Sequence, residues 1–497
     1  MKNWTSQRVL VIGAARQGTA LARCLASRGA QVVLSDRRAA EQLQPERATL
    51  ADLPIEWALG GHPLSLLNGI DLLCISGGVP LTIPLVVEAQ ARGIPLSNDS
   101  QIFLEAAPCK VIGITGSAGK TTTTILVGRM CEAGVGRLGV RELEVRDSPN
   151  SQPLTPNSPP ATRHSPLATR HSPPAIRHWI GGNIGNPLIA SIDEMSAGDI
   201  AVMELSSFQL EIMTRSPQVA AVLNVTPNHL DRHLTMEAYT AAKARILDYQ
   251  AESDVAVLGR SDPGAWELAG SVRGGLVSFG LGCPPAGQSG TFLRDGMIAF
   301  WDGQSAEDLF PREIVRLRGE HNLLNVLAAC AIAHAADLSV EAMRAGVEGF
   351  EGVEHRLEFV RSWGGADWYN DSIATAPERA MAAICSFDES LVLLAGGRDK
   401  DLPWDDFTDL VRQRVDHLIL FGEASDIVGR ALGKIPNGSR HFSVSRCDGL
   451  EDAVLAAAQI VEPGDVVLLS PGGTSFDEFR DFAERGEWFR VWVNNLP

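Results

Sequence analysis

The apolar positions of this chain fall in short unbroken runs, each closed by glycine or polar residues and each followed by a stretch of helical spacing. In the first hundred residues these runs are Arg8-Val-Leu-Val-Ile12, Gln31-Val-Val-Leu-Ser-Asp36 and Asp71-Leu-Leu-Cys-Ile-Ser76. Val111–Ile114, Ile200–Leu205 and Val219–Val225 follow, then Leu391–Ala395, Val415–Phe421 and Val466–Ser470. A strand covered on both faces reads as a continuous apolar run, so the pattern predicts parallel sheets packed between helices. The helices predicted between them include an Ala/Leu-rich one after Gly18, one opening at Lys120 and running through Ile125 to Met130, and Met236–Gln250 and His321–Ala336. Ser97-Asn98-Asp99 reads as a strand end or a helix cap. Strands alternating with helices define an α/β fold.

The alternation breaks from about 143 to 178, where Pro, Ser, Thr, Arg and His take over. A seven-residue repeat lies there: Ala161-Thr-Arg-His-Ser-Pro-Leu, Ala168-Thr-Arg-His-Ser-Pro-Pro, Ala175-Ile-Arg-His178. Its prolines exclude a coiled coil and its apolar content cannot offset the entropy of ordering, so a disordered surface insertion is expected. His164, His171 and His178 are not expected to form a metal site, because such a repeat does not hold ligands in place.

Composition narrows the class. A chain of 497 residues exceeds one core, and 45% apolar with 21% charged residues is the balance of a soluble globular protein. A net charge of −17 excludes a general nucleic-acid surface while leaving room for a local basic pocket. The 8 cysteines form no C-x-x-C pair, which fits neither a disulfide framework nor a zinc site and suits a reducing cytoplasm. No signal peptide and no run of membrane-spanning length is present, so a cytoplasmic location without membrane insertion is expected.

The chemistry centres on Val111-Ile-Gly-Ile-Thr-Gly-Ser-Ala-Gly-Lys-Thr-Thr122. A strand runs into Gly116, Ser117, Ala118 and Gly119, and Lys120, Thr121 and Thr122 open a helix. Small residues let backbone N–H groups close around phosphate oxygens, and the helix N-terminus adds positive potential. Lys120 can neutralise β/γ-phosphates and the Thr121 hydroxyl can ligate Mg²⁺. Ile114 stands where the longer phosphate-loop pattern has its first glycine, leaving the tighter T-G-x-x-G-K-T. A second nucleotide signal opens the chain: Gly13-Ala-Ala15-Arg-Gln-Gly18 after a strand, with Asp36 closing the next. Ala15 replaces the middle glycine, so two readings stand, a dinucleotide cofactor site or a Rossmann-like domain for another nucleotide such as a uridine diphosphate group. The fold expected is therefore α/β in three domains: a Rossmann-like N-terminal domain over 1–108, a central P-loop ATPase-type parallel sheet over 109–352 carrying the insertion, and a Rossmann-like C-terminal domain over 353–497.

The order of the polar strand ends is the most specific feature. T-G-x-x-G-K-T is followed by Gly181-Gly-Asn183-Ile-Gly, Glu204-Leu-Ser-Ser-Phe-Gln-Leu-Glu211, Asn224-Val-Thr-Pro-Asn-His229-Leu-Asp-Arg-His, the helical Lys243, Gly319-Glu-His-Asn322-Leu-Leu-Asn325, Glu354-His-Arg356 and Asn370-Asp371-Ser-Ile-Ala-Thr375. This series resembles the Mur ligase superfamily over nearly the whole chain apart from the repeat. The stretches Glu204–Glu211, Gly396-Gly-Arg-Asp-Lys400 and Ser470-Pro-Gly-Gly-Thr-Ser-Phe-Asp-Glu-Phe479 most resemble its D-glutamate-adding branch.

The resemblance implies an ATP-dependent amide ligase of peptidoglycan synthesis, acting on UDP-N-acetylmuramoyl-L-alanine and D-glutamate through an acyl phosphate, with ATP and two Mg²⁺ ions, as a monomer. It implies Lys120, Glu204, His229 and Lys243 as catalytic residues, with Thr121 and Glu204 on one Mg²⁺ and His229 and a carbamylated Lys243 on the other. ATP contacts fall on Gly116–Thr122, Asn322, Asn325, Arg356 and Asp371. UDP-substrate contacts fall on Ala14, Arg16, Gln17, Asp36, Arg37, Ser76, Gly77, Gly78 and Asn183. The D-glutamate positions are Thr375, Lys400, Ser475 and Phe482. One departure stands out: the family's N-D-S-K-A-T loop commonly has Lys where this chain has Ile373. The alternatives are another Mur ligase, a folylpolyglutamate-synthetase-like enzyme (against which the domain preceding the phosphate loop argues), and a non-catalytic ATP-binding protein.

Overall fold

Three sheets answer the three sets of apolar runs. The computed structural model describes residues 4–144, 177–227, 230–400, 402–433 and 442–497. His164, His171 and His229 lie outside the described residues. The chain forms two compact units, Met1–Ile314 with Leu324–Glu348, and Val315–Leu323 with Gly349–Pro497.

The first unit holds two sheets. Strands β1 (Arg8–Ile12), β2 (Gln31–Asp36), β3 (Ile55–Leu59), β4 (Leu72–Ile75) and β5 (Leu96–Ser97) pair in the order β3-β2-β1-β4-β5, all parallel. The order reverses at β1, and the crevice beyond the carboxyl ends of β1 and β4 is where such sheets bind ligands. Helix Arg16–Ser27 begins there.

The second sheet has nine strands. These are β6 (Lys110–Thr115), β7 (His178–Gly182), β8 (Ile200–Glu204), β9 (Val219–Val222), β10 (Val255–Gly259), β11 (Gly275–Phe279), β12 (Ser289–Arg294), β13 (Met297–Trp301) and β14 (Ala306–Pro311). Their order is β14-β13-β12-β11-β10-β9-β6-β8-β7. Pairing is parallel from β7 to β12 and antiparallel across β12, β13 and β14. Asp295-Gly296, both at positive φ, makes the two-residue turn from β12 to β13. The expected insertion is narrower than about 143–178 at its described edges, since helix Lys120–Glu144 extends to its start. At the other edge His178 is already paired with Ile200 in β7.

A polar seam joins the two sheets of this unit. Asn98 caps helix Asp99–Ala106 by accepting from Gln101 N at 2.7 Å, while its amide donates to the Gln209 carbonyl at 2.8 Å. Gln209 donates in turn to Ser100 Oγ at 2.9 Å, and Thr214 N donates to Gln101 Oε1 at 2.8 Å. Around it one apolar core runs from Val9 and Val11 to Val111, Ala201 and Val222.

In the second unit, β15 (Glu358–Trp363), β16 (Ala366–Asn370), β17 (Leu391–Gly396), β18 (His417–Phe421), β19 (Ser443–Arg446) and β20 (Val466–Gly472) pair in the order β15-β16-β20-β17-β18-β19. Only β15 runs antiparallel. Separate apolar clusters cover the two faces of this sheet.

Candidate active site

The phosphate loop is built as the sequence requires, between β6 and helix Lys120–Glu144. Gly119 sits at φ +81°, and a Cβ there would lie 2.2 Å from Asn325 Oδ1, so only glycine fits. The loop is held from β9: Ala118 N donates to Asn224 Oδ1 at 2.8 Å and Ser117 N to the Asn224 carbonyl at 3.0 Å. Ser117 Oγ donates to the Thr226 carbonyl at 2.9 Å and lies 3.1 Å from Tyr239 OH. Lys120 Nζ donates to the Gly116 carbonyl at 2.7 Å and the Ser117 carbonyl at 3.2 Å, which places its charge over the loop. Thr122 is buried in the first turn of the helix.

Thr121 Oγ1 donates to Glu204 Oε2 at 2.9 Å. Asn183 Nδ2 donates to the other oxygen, Oε1, at 3.1 Å. Gly182 makes that approach possible: at φ +99°, a Cβ there would lie 2.4 Å from the Glu204 carbonyl, which instead accepts from Asn183 N at 2.9 Å. Glu204 is 2% exposed and, among the described residues, forms no salt bridge. A buried carboxylate with only neutral partners is a costly charge, which a hard cation beside the Thr121 hydroxyl would offset. Two oxygens do not fill a Mg²⁺ shell, and among the described residues no group of three or more His, Cys, Asp or Glu side chains is arranged to hold a metal. A cation here would complete its coordination with phosphate oxygens and water, as Mg²⁺ in nucleotide sites does.

Lys243 is the unusual group. It is 1% exposed on helix Met236–Asp248, donates to the Gly116 carbonyl at 2.8 Å, and lies 4.6 Å from the Tyr239 ring centroid. Burial first, and then the charge of Lys120, push its pKa down to about 6. An amine largely neutral at pH 7 is a nucleophile.

At the carboxyl ends of β1, β2 and β4 the expected first-sheet residues gather. Ser76 Oγ donates to the Gly13 carbonyl at 3.1 Å, and Gly77 N to Gln17 Oε1 at 3.3 Å. Arg16, Arg37 and Gly78 are exposed, and Gly77 is half-buried. Asp36 faces inward, accepting from Ala14 N at 2.7 Å and from Arg38 Nε and Nη2 at 3.1 Å. Burial raises its pKa, but these hydrogen bonds outweigh burial and hold it at about 2. The ion-pair partner of Asp36 is therefore Arg38, a residue the sequence did not single out.

Arg232 was missed as well. From helix Leu230–His233 it donates to the Val79 carbonyl at 2.9 Å and the Gly77 carbonyl at 3.4 Å, and stacks over Phe208 at 3.9 Å. It ties the loop after β4 to the second sheet. The only signal for it was its place in the His229–His233 motif.

The second unit holds the remaining candidates. Asp371 is fully buried at the end of β16, accepting from Ser470 Oγ at 2.8 Å and Leu357 N at 3.2 Å. Burial pushes its pKa up to about 7, against the opposing effects of these bonds and of Arg356. Asn322 Nδ2 donates to the Arg318 carbonyl at 2.8 Å. Lys400 Nζ lies 3.4 Å from Thr375 Oγ1, Ser475 is buried, and the Phe482 carbonyl accepts from Ser372 Oγ at 2.7 Å. Arg485, which the sequence did not flag, is fully buried and donates to Ser372 Oγ, the Ser372 carbonyl and the Gly473 carbonyl at 3.0, 2.9 and 3.1 Å.

The fold and the loop define a P-loop nucleotide-binding protein of the α/β class. Family profiles match along the chain: a Mur ligase MurD-like N-terminal domain over residues 7–98, a Mur ligase middle domain over 114–333, and a Mur ligase glutamate ligase domain over 355–473. The chain is 36% identical over 490 residues to a UDP-N-acetylmuramoylalanine–D-glutamate ligase of Symbiobacterium thermophilum, covering 99% of this chain and 98% of the relative. It is 37% identical over 496 residues to the protein of that name from Geotalea daltonii, covering 99% and 98%. Among solved structures, the UDP-N-acetylmuramate-alanine ligase MurC of Thermotoga maritima shares the fold at TM-score 0.53 and 16% identity, covering 98% of this chain and 99% of that one. MurF of Acinetobacter baumannii does so at TM-score 0.52 and 18% identity, covering 99% and 92%. The chain belongs to the Mur ligase family.

Proposed function

We propose that the protein is an ATP-dependent ligase that joins the L-alanyl carboxyl of UDP-N-acetylmuramoyl-L-alanine to the amine of D-glutamate in peptidoglycan synthesis. The observation that carries this reading is the full-length similarity to relatives of that name. The buried Thr121–Glu204 pair on the phosphate loop supports it. The ligand-carrying domains would be 1–108 for the uridine nucleotide, 109–352 for ATP and 353–497 for the acceptor.

An amine does not displace oxygen from a carboxylate at neutral pH. Transfer of the γ-phosphoryl group from ATP to a carboxylate oxygen gives an acyl phosphate and ADP; the amine then attacks the carbonyl carbon, phosphate leaves, and the amine proton is lost. Charge neutralisation and alignment dominate the first step. Lys120 places a cation beside the β/γ-phosphates, and the loop N–H groups and helix start bind their oxygens. Thr121 and Glu204 would hold one Mg²⁺; His229, with Lys243 as its carbamate, would hold a second. The metal supplies neutralisation of phosphate charge. Carbamylation suits Lys243, because a buried, largely neutral amine can add CO₂ and become an anionic oxygen ligand. Asn322, Asn325, Arg356 and Asp371 complete the ATP contacts. Ala14, Arg16, Gln17, Asp36, Arg37, Ser76–Gly78 and Asn183 take the UDP-substrate, with Asp36 acting through the turn it holds. Thr375, Lys400, Ser475 and Phe482 take D-glutamate.

The test is isotopic. UDP-N-acetylmuramoyl-L-alanine carrying ¹⁸O in its carboxylate must pass one ¹⁸O to the released phosphate when ATP and D-glutamate are present. Phosphate without ¹⁸O would refute the acyl-phosphate route.

A further inference from the structure

D-glutamate carries two carboxylates, and the acceptor loops of the second unit must meet both. Three loops converge there. The Arg398–Thr474 bridge joins the loop after β17 to the loop after β20, with paired backbone bonds of 2.8 Å. Gly472 N donates to the Ala374 carbonyl at 2.9 Å, bringing in the loop after β16. The position of a Cβ on Gly472 lies 3.7 Å from Pro377 Cα, so the start of helix Pro377–Ile384 rests on the same junction.

Few cations at this junction have charge to offer. Arg485 is fully buried, with Nε and Nη2 committed to Ser372 and Gly473, and its Nη1 is buried without a hydrogen-bond partner among the described residues, so it offers one enclosed N–H rather than an accessible charge. Ile373 is apolar where the family pattern commonly has lysine. Lys400 remains, beside Thr375. Among the described residues a further cation is Arg379, in the first turn of helix Pro377–Ile384, where its backbone N–H donates to the carbonyl of the N-cap residue Ala376 at 3.1 Å. Arg379 is exposed, and among the described residues its guanidinium makes no hydrogen bond or ion pair. Its field reaches both sides of the junction. It lowers the pKa of Lys400, after burial and ahead of Arg485, and it is among the charges that oppose the burial of Asp371. Two like charges close enough to act on one another are unfavourable alone and become favourable when a dianion pairs with both.

We propose that Arg379 is the second cation of the acceptor site, pairing with one carboxylate of the amino acid while Lys400 pairs with the other. Resting on the D-glutamate reading above, it assigns to the helix start the charge that Ile373 does not provide. Discrimination in favour of a dicarboxylic acceptor then depends on Arg379, because a monocarboxylic amino acid leaves one of the two cations unpaired.

Steady-state rates of Arg379→Ala and Arg379→Lys against each substrate test this. The expected result is a rise in the KM for D-glutamate of about tenfold or more in Arg379→Ala, the worth of a charge-assisted contact. The KM values for ATP and the UDP-substrate should stay put, and Arg379→Lys should recover part of the loss. D-Alanine as a competitor gives the second readout: the wild-type preference for D-glutamate over D-alanine should narrow in Arg379→Ala. An unchanged KM for D-glutamate, or a parallel rise for all three substrates, would overturn the proposal. Failure of the D-glutamate reading itself would show separately, as wild-type turnover that does not depend on D-glutamate.

Discussion

Lys243 and Lys120 donate to the same acceptor, the Gly116 carbonyl, at 2.8 and 2.7 Å. Burial first, and then repulsion from the Lys120 ammonium on the same oxygen, push Lys243 down to about 6. Adding CO₂ to Lys243 would replace that repulsion with attraction to Lys120. With ¹³C-bicarbonate at pH 7.5 the wild-type protein should show one carbamate carbon resonance, absent from Lys243→Ala. Activity of Lys243→Ala should fall by about a hundredfold or more if a positioned anion is lost from the site. A spectrum without a carbamate signal would leave Lys243 an ordinary buried amine.

Gly119→Ala strains the phosphate loop twice. An alanine at φ +81° costs about 1–2 kcal/mol, and its Cβ would meet Asn325 Oδ1 at 2.2 Å. ADP binding by calorimetry should weaken at least tenfold. Adding Asn325→Ala should remove the clash without removing the backbone strain, so affinity should recover only in part.

Arg232 carries no expected contact with ATP, yet it holds the carbonyls of Gly77 and Val79 from the second sheet. Arg232→Ala should cost about 1–3 kcal/mol of ordering in that loop. The KM for the UDP-substrate should rise while that for ATP does not. Equal effects on both would point to a general loss of structure.

Asp99 gives the seam a pH dependence. It is fully buried, its Oδ1 has no partner among the described residues, and burial raises its pKa from 3.8 to about 6. The folded protein thus holds this proton more tightly than the unfolded chain does. The associated stability is intact below about pH 4 and is lost as pH rises through about 6. Asp99→Asn lacks that loss, so in urea denaturation its stability relative to wild type should increase between pH 4.5 and pH 7.5. A constant difference would contradict the burial of an ionisable Asp99.

What the sequence carried was local. Strand, glycine loop, Lys120 and Thr121 are contiguous, so their chemistry can be read from spacing alone. Asn98 as a cap was equally visible, because capping depends on the next three residues. Asn224 and Tyr239, which brace Ser117 and Ala118, lie more than a hundred residues away and could be joined to the loop only by the sheet order β9-β6-β8. Arg37 drew notice for its adjacency to Asp36, yet Arg38 makes the pair, because the chain turns as β2 ends and only the later residue folds back. Strands β10 to β14 were not foreseen. β10 is apolar but only five residues long, β11, β12 and β14 are partly polar, and β13 and β14 exist by pairing with neighbours, although Asp295-Gly296 was a readable turn signal.

The most direct test of the account is phosphate release from ATP with UDP-N-acetylmuramoyl-L-alanine, screened across single amino acids and followed by product mass. Release that requires D-glutamate, with a product heavier by one glutamyl residue, is the predicted result. Release with L-lysine or diaminopimelate in its place, or none with any acceptor despite ATP binding, would contradict it.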